Sequence, residues 1–148
     1  MKKIILTVAL VVGCLTFANA QENALGLKWG SGWYGVAIDL SYQRFLNESN
    51  RLELNLGTDG FDILSVSALY QWVWNLTGGF NWYAGVGASI DVGFGLRPFL
   101  LGNIGIEYNF NSPLQLAIDY TPSMFLIPAF GHILYDETRI RLAARWRF

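Results

Sequence analysis

Leu64-Ser65-Val66-Ser67-Ala68-Leu69-Tyr70-Gln71-Trp72-Val73-Trp74 decides the fold of this chain. Leu64, Val66, Ala68, Tyr70, Trp72 and Trp74 fall on one side, and Ser65, Ser67, Leu69, Gln71 and Val73 on the other. A period of two is the mark of a strand whose faces meet different surroundings. After a turn over 76–79, Trp82, Ala84, Val86, Ala88, Ile90 and Val92 alternate with Asn81, Tyr83, Gly85, Gly87, Ser89 and Asp91. Two such runs joined by turn residues read as an antiparallel hairpin.

The pattern continues in both directions. Before the hairpin stand a short run at Leu25, Leu27 and Trp29, one from Tyr34 to Gln43, and one at Leu52, Leu54 and Leu56. After it come Ile104, Ile106, Tyr108 and Phe110, then Leu114, Leu116, Ile118 and Tyr120, and last Ile140, Leu142, Ala144, Trp146 and Phe148. The count is eight, an even number that lets an antiparallel sheet close into a barrel with both ends on one side. Turns over 46–50, 76–79 and 111–113 read as tight. The other connections, over 30–33, 58–62, 93–98 and 122–138, read as mostly longer and fall at the opposite rim. No stretch after the N-terminus approaches the roughly 18 apolar residues of a membrane-spanning helix.

Residues 1–20 read as a signal peptide. Met1-Lys2-Lys3 is basic, Ile4 to Val12 is apolar, and Ala18-Asn19-Ala20 is a small-x-small cleavage site. The barrel domain is then 21–148. Val11-Val12-Gly13-Cys14 also resembles the lipobox of bacterial lipoproteins, but apolar Leu15, Phe17 and Ala18 follow Cys14 and a good cleavage site lies just beyond.

Composition excludes several functions. The chain is 53% hydrophobic and only 14% charged, against about 25% in an ordinary soluble domain, so it does not read as disordered. Ten basic residues against eleven acidic ones leave no footprint for nucleic acid. One Cys and one His give no thiol cluster or multi-histidine metal site. Gly85-Val86-Gly87 and Gly93-Phe94-Gly95 are not phosphate loops, because no helix follows them. No cofactor and no metal is expected.

Size sets the orientation of the faces. The interior of an eight-stranded barrel is just wide enough for side chains to fill. The apolar face carries Trp72, Trp74, Trp82, Tyr108, Phe110, Trp146 and Phe148, whereas the polar face is mostly Gly, Ala and Ser. The apolar face therefore looks outward, where hydrocarbon tolerates it. With Tyr42, those seven aromatics gather near the tight turns or the C-terminus as an interfacial girdle; Trp29, Tyr34, Phe94, Phe99 and Tyr120 would form a thinner one at the other rim.

The ending Arg139-Ile140-Arg141-Leu142-Ala143-Ala144-Arg145-Trp146-Arg147-Phe148 resembles the C-terminal insertion signal of bacterial outer-membrane proteins. With Ile118-Asp119-Tyr120-Thr121-Pro122, the glycine-rich strands and the Gln21 start, the chain resembles small outer-membrane barrels of the Bacteroidota type. The resemblance implies location in the cell outer membrane of a Gram-negative bacterium, contact with outer-membrane lipids, and recognition by the assembly machinery through Trp146 and Phe148. It names no extracellular partner.

The inward set carries Lys28, Asp39, Arg51, Glu53, Asp91, Glu107, Asp119, Arg139, Arg141, Arg145 and Arg147. Lys28, Asp91, Asp119, Arg139 and Arg141 fall in the outer half, and Arg51, Glu53, Glu107, Arg145 and Arg147 in the inner half. Each half mixes signs, which allows two layers of ion pairs, with Asp119 close to Arg139 or Arg141. A filled, non-conducting lumen is the favoured reading and a narrow channel the alternative. Some eight-stranded outer-membrane barrels modify lipid A with a His, a Ser and a carboxylate. The materials here would be His132, Ser123 and Asp136 or Glu137, a weak signal in a mainly polar lumen that lacks an acyl tunnel. The apolar run Met124 to Phe130 is read as an extension of the last two strands with a loop packed over the mouth, in preference to a partner or lipid contact. A non-enzymatic structural or surface-interaction role follows, with no catalytic residue assigned.

Overall fold

In the computed structural model, residues 23–32, 34–60, 62–93, 95–127 and 132–148 are described; residues 1–22, with the expected signal peptide and Cys14, lie outside them. Eight strands follow in chain order: β1 (Asn23–Ser31), β2 (Val36–Phe45), β3 (Asn50–Asp59), β4 (Ile63–Thr77), β5 (Phe80–Val92), β6 (Leu96–Asn109), β7 (Leu114–Ile127) and β8 (His132–Arg147). Each pairs antiparallel with the next, and β1 pairs with β8, so the sheet closes into a barrel. Backbone hydrogen bonds in both directions between Asn23 and Phe148 finish the seam. Closure leaves the sheet with no edge of unpaired backbone.

The two faces have the polarity expected from the alternation. Leu40, Leu56, Val66, Val86, Ile106, Ile118 and Leu142 are exposed, while Lys28, Arg51, Glu53, Gln71, Glu107 and Arg145 are almost completely buried. This inverts the usual soluble arrangement, in which large apolar side chains are inside and charges outside. Aromatic rings contact one another near the tight turns: Trp74 stacks on Trp82 with centroids 4.3 Å apart, and Tyr108 meets both Phe80 and Phe110.

The connections correct one expectation. Those over 32–35, 60–62, 93–95 and 128–131 are as short as those over 46–49, 78–79 and 110–113. What differs between the rims is strand length. β6 starts at Leu96, β7 runs on to Ile127, and β8 begins at His132, so most of the supposed 122–138 loop is paired strand. Pro98 and Pro122 bound the stretches expected as loops over 93–98 and 122–138. Both are accommodated: the β6–β7 pairing lapses only between Leu101–Ser123 and Ile104–Tyr120, where Pro122 has no N–H to give, and Gly102 leaves room for its ring. A register shift follows on β8, opposite Ser123. At the other rim the two-residue turn between β4 and β5 uses Gly78 at φ 55°.

A second correction concerns Phe99. It is only 3% exposed and packs inside the barrel with Leu69, Leu101 and Phe125, and so takes no part in a girdle. Its parity on β6 is that of Asn103 and Gly105, so an unbroken alternation places it inward. Trp29, Tyr34 and Tyr120 are exposed as expected, and Phe94 lies outside the described residues.

Candidate functional site: the charged lumen

Large inward side chains are made to fit by inward glycines beside them. In register, Gly26 faces Arg145, Gly30 faces Arg141, Gly85 faces Gln71, and Gly87 lies between Leu69 and Leu101. Gly105 faces Tyr83 on one side and Asp119 on the other. A Cβ on Gly105 would sit 2.5 Å from Tyr83 Cζ and 2.7 Å from Asp119 Cβ. Gly105→Ala is therefore expected to cost about 1–3 kcal/mol by overpacking. Combined with Tyr83→Ala it should cost less than the two changes summed; urea midpoints of the four proteins check this, and strict additivity would contradict the packing.

The space so made is crossed by one continuous polar network. Glu53 is its hub. Glu53 Oε1 accepts from Lys28 Nζ at 2.9 Å and Asn55 Nδ2 at 3.1 Å; Oε2 accepts from Gln43 Nε2 at 2.7 Å, Gln71 Nε2 at 3.1 Å and Arg145 Nη2 at 3.2 Å. Lys28 also pairs with Asp119 at 2.7 Å, whose Oδ2 accepts from the Tyr83 hydroxyl at 3.0 Å. Arg51 donates to Glu107 and to Gln71, both at 2.6 Å, and its guanidinium lies 4.6 Å from the Tyr83 ring centroid. These charges are out of water, so pairing is required to hold them there.

Above this hub lies a second group. Arg141 pairs with Asp39, and Arg139 Nη2 lies 3.2 Å from Asp59 and 3.8 Å from Asp91. Ser65 Oγ donates to Asp91 at 2.7 Å. Between the two groups a cavity of about 10 Å³ is lined by Lys28, Asn55, Ser89, Thr121, Arg139 and Arg141, among others. That is space for the centre of about one water.

Within each half of the lumen, opposite charges do pair: Arg51 with Glu107, Glu53 with Arg145, and Arg139 with Asp91. The division into two separate layers is not. Lys28, assigned to the outer half, reaches Glu53 of the inner half. Asp119 and Arg141 are register partners, as the order of the strands demands, yet each pairs two strands away, Asp119 with Lys28 and Arg141 with Asp39. Long side chains in a narrow barrel reach across the lumen more readily than sideways along the wall. Arg147 finds no carboxylate among the described residues; it donates to the carbonyls of Phe110 and Ser112 in the β6–β7 turn. Asp59 and Arg97 escaped the sequence reading because both stand in stretches read as loops, although continued alternation along β3 and β6 faces them inward. The lumen is also less polar than expected, since Leu69, Phe99 and Leu101 are buried within it.

Of the residues considered for catalysis, Ser123 is buried and points inward, and β8 passes it at the register shift that holds Asp136 and Glu137. His132 pairs with Ile127, four positions further along β7, or about 13 Å at the usual rise per residue.

These features define a closed eight-stranded antiparallel barrel with an apolar exterior and a charged, packed interior. The same fold is found in the N-terminal β-barrel domain of OprF from Pseudomonas aeruginosa (17% identity, TM-score 0.66, covering 88% of this chain and 100% of that one). It is found too in Neisserial surface protein A (13% identity, TM-score 0.57, 85% and 94% covered) and in a de novo designed transmembrane β-barrel (10% identity, TM-score 0.67, 88% and 98% covered). No protein-family model and no curated protein matches the chain.

Proposed function

We propose that this chain is an integral outer-membrane β-barrel with a non-enzymatic structural or surface-interaction role, exported through a signal peptide over residues 1–20. One observation carries this reading: the exposed belt of large apolar side chains encloses a lumen filled with paired charges. Such an exterior is unfavourable in water, and hydrocarbon is the medium that suits it. The aromatic contacts among Trp74, Trp82, Phe80, Tyr108 and Phe110 suit the interface, where ring edges meet headgroups. The seam at Asn23 and Phe148 puts both ends of the barrel at the rim of the tight turns, here assigned to the periplasm. Outer-membrane lipids and, through Trp146 and Phe148, the assembly machinery are its proposed partners. The C-terminal strand and the glycine-rich pattern support a place among small barrels of the Bacteroidota type.

Cell fractionation and planar-bilayer recording test the proposal together. The expected result is recovery from the outer membrane only with detergent, and no stepwise current. Recovery as a freely dissolved exported protein would overturn the membrane reading, and steady unitary currents would overturn the packed lumen. Lipid A mass profiles should be the same with wild type, with His132→Ala and without the protein; a wild-type-specific change lost in His132→Ala would establish an enzyme.

A further inference from the structure

The outer mouth is spanned by a contact that the ion-pair network does not require. Tyr34 lies on the short connection between β1 and β2, and Arg97 near the start of β6. In a ring of eight strands β2 and β6 stand on opposite walls. Arg97 Nη2 donates to the Tyr34 hydroxyl, and its guanidinium carbon sits 5.4 Å from the Tyr34 ring centroid. Arg97 is the register partner of Asp91, the nearest carboxylate in sequence order, but Asp91 is taken by Arg139 and Ser65. The guanidinium is therefore left for the aromatic ring. The near end of the strap is held too. The Tyr34 amide donates to Asp59 Oδ1 at 3.0 Å, the Gly32 amide donates to the Gly35 carbonyl at 2.7 Å, and the Gly60 amide donates to the Val36 carbonyl at 3.2 Å.

Beneath the strap stand Asp59, Arg139, Asp91 and Ser65, all almost completely buried although they lie at the end of the barrel. Below them is the small cavity, which Arg139, Arg141 and Ser89 border. Arg139 Nε, Arg141 Nε and Ser89 Oγ are buried without a hydrogen-bond partner among the described residues. Unsatisfied donors are costly to bury and favour entry of small polar species once a path exists.

We propose that Tyr34 and Arg97 form a latch that ties the β1–β2 connection across this mouth and controls the access of water and small polar reagents to the buried side chains above the Glu53 hub. The contact is half-exposed and rests on one hydrogen bond and one cation–π contact, so it opens far more easily than the buried network below it. The proposal concerns one end of the barrel and does not depend on which side of a membrane that end faces.

Thiol accessibility tests it. In full-length protein carrying Cys14→Ser, Ser65→Cys places a lone thiol under the strap and Gln115→Cys places one near the opposite rim. Methyl methanethiosulfonate is added to the refolded protein in detergent, and labelling is followed by mass. Tyr34→Ala and Arg97→Ala should each raise the Ser65→Cys rate about tenfold, as loss of such a contact implies. The double variant should be no faster than either single one, and Gln115→Cys should not change. Equal rates in all proteins, increments that multiply in the double variant, or a parallel rise at Gln115→Cys would overturn the latch. If Tyr34→Ala does not refold, Arg97→Gln serves alone, because Arg97 makes no other hydrogen bond or ion pair among the described residues; an unchanged Ser65→Cys rate, or a parallel rise at Gln115→Cys, then overturns the latch.

Discussion

Replacing Glu53 by Gln is expected to lower the unfolding free energy by about 3–5 kcal/mol, the cost of removing one member of a buried charge pair. Two cations lose a carboxylate partner at once. Lys28 keeps Asp119, but Arg145 retains only Ser41 and Gln115, neither of them charged. The remaining guanidinium is then buried with no counter-charge, which dominates the loss of a single hydrogen bond. Unfolding in urea from lipid vesicles measures the effect. Arg145→Gln should be costly by itself, and adding it to Glu53→Gln should cost much less than its own single effect, since the second change removes the stranded charge. A loss below about 1 kcal/mol for Glu53→Gln would mean that water reaches the hub and screens it.

The exterior gives the second large effect. Val86 is 56% exposed at the middle of β5, and Ile106, 49% exposed, lies nearer the tight-turn rim as the register partner of Trp82. In the membrane proposed above, an arginine at Val86 sits at mid-depth with an expected cost of about 2–4 kcal/mol, and one at Ile106, nearer the interface, is expected to cost less. Ser89→Ala, on the inward face of the same β5 strand, removes a hydroxyl that has no hydrogen-bond partner among the described residues and should change stability by less than about 0.5 kcal/mol. The contrast between neighbouring inward and outward positions separates a lipid-facing exterior from a general intolerance of substitution. Equal costs at Val86 and Ser89 would contradict the face assignment.

Two kinds of statement about this molecule have different origins. The alternation from Leu64 to Trp74 and from Asn81 to Val92 already separates the faces, because neighbouring residues of a strand point to opposite sides whatever the rest of the fold does. The same parity places Glu53, Glu107, Asp119 and Arg145 inside, and their burial agrees. Where the pattern is interrupted, reading it locally fails. Pro98 and Pro122 end a strand in isolation, yet β6 and β7 continue through them because the neighbouring strands supply most of the pairing and Gly102 gives way to a ring. Asp59 and Arg97 stand in stretches whose local pattern reads as loops, and Phe99 stands just past one, so only the continued strands carry the parity that faces all three inward.

Sequence alone thus determined the strand period, the number of strands, and which side chains share a face, all of which depend on covalent geometry and neighbours one or two residues away. Only the tertiary structure decided which cation meets which carboxylate. That choice depends on the closure of the ring, on the register of all eight strands, and on how far a Lys or Arg reaches over a neighbouring glycine. The contact of Tyr34 with Arg97 is of the same kind: 63 residues separate them along the chain, and only the closed ring brings them together.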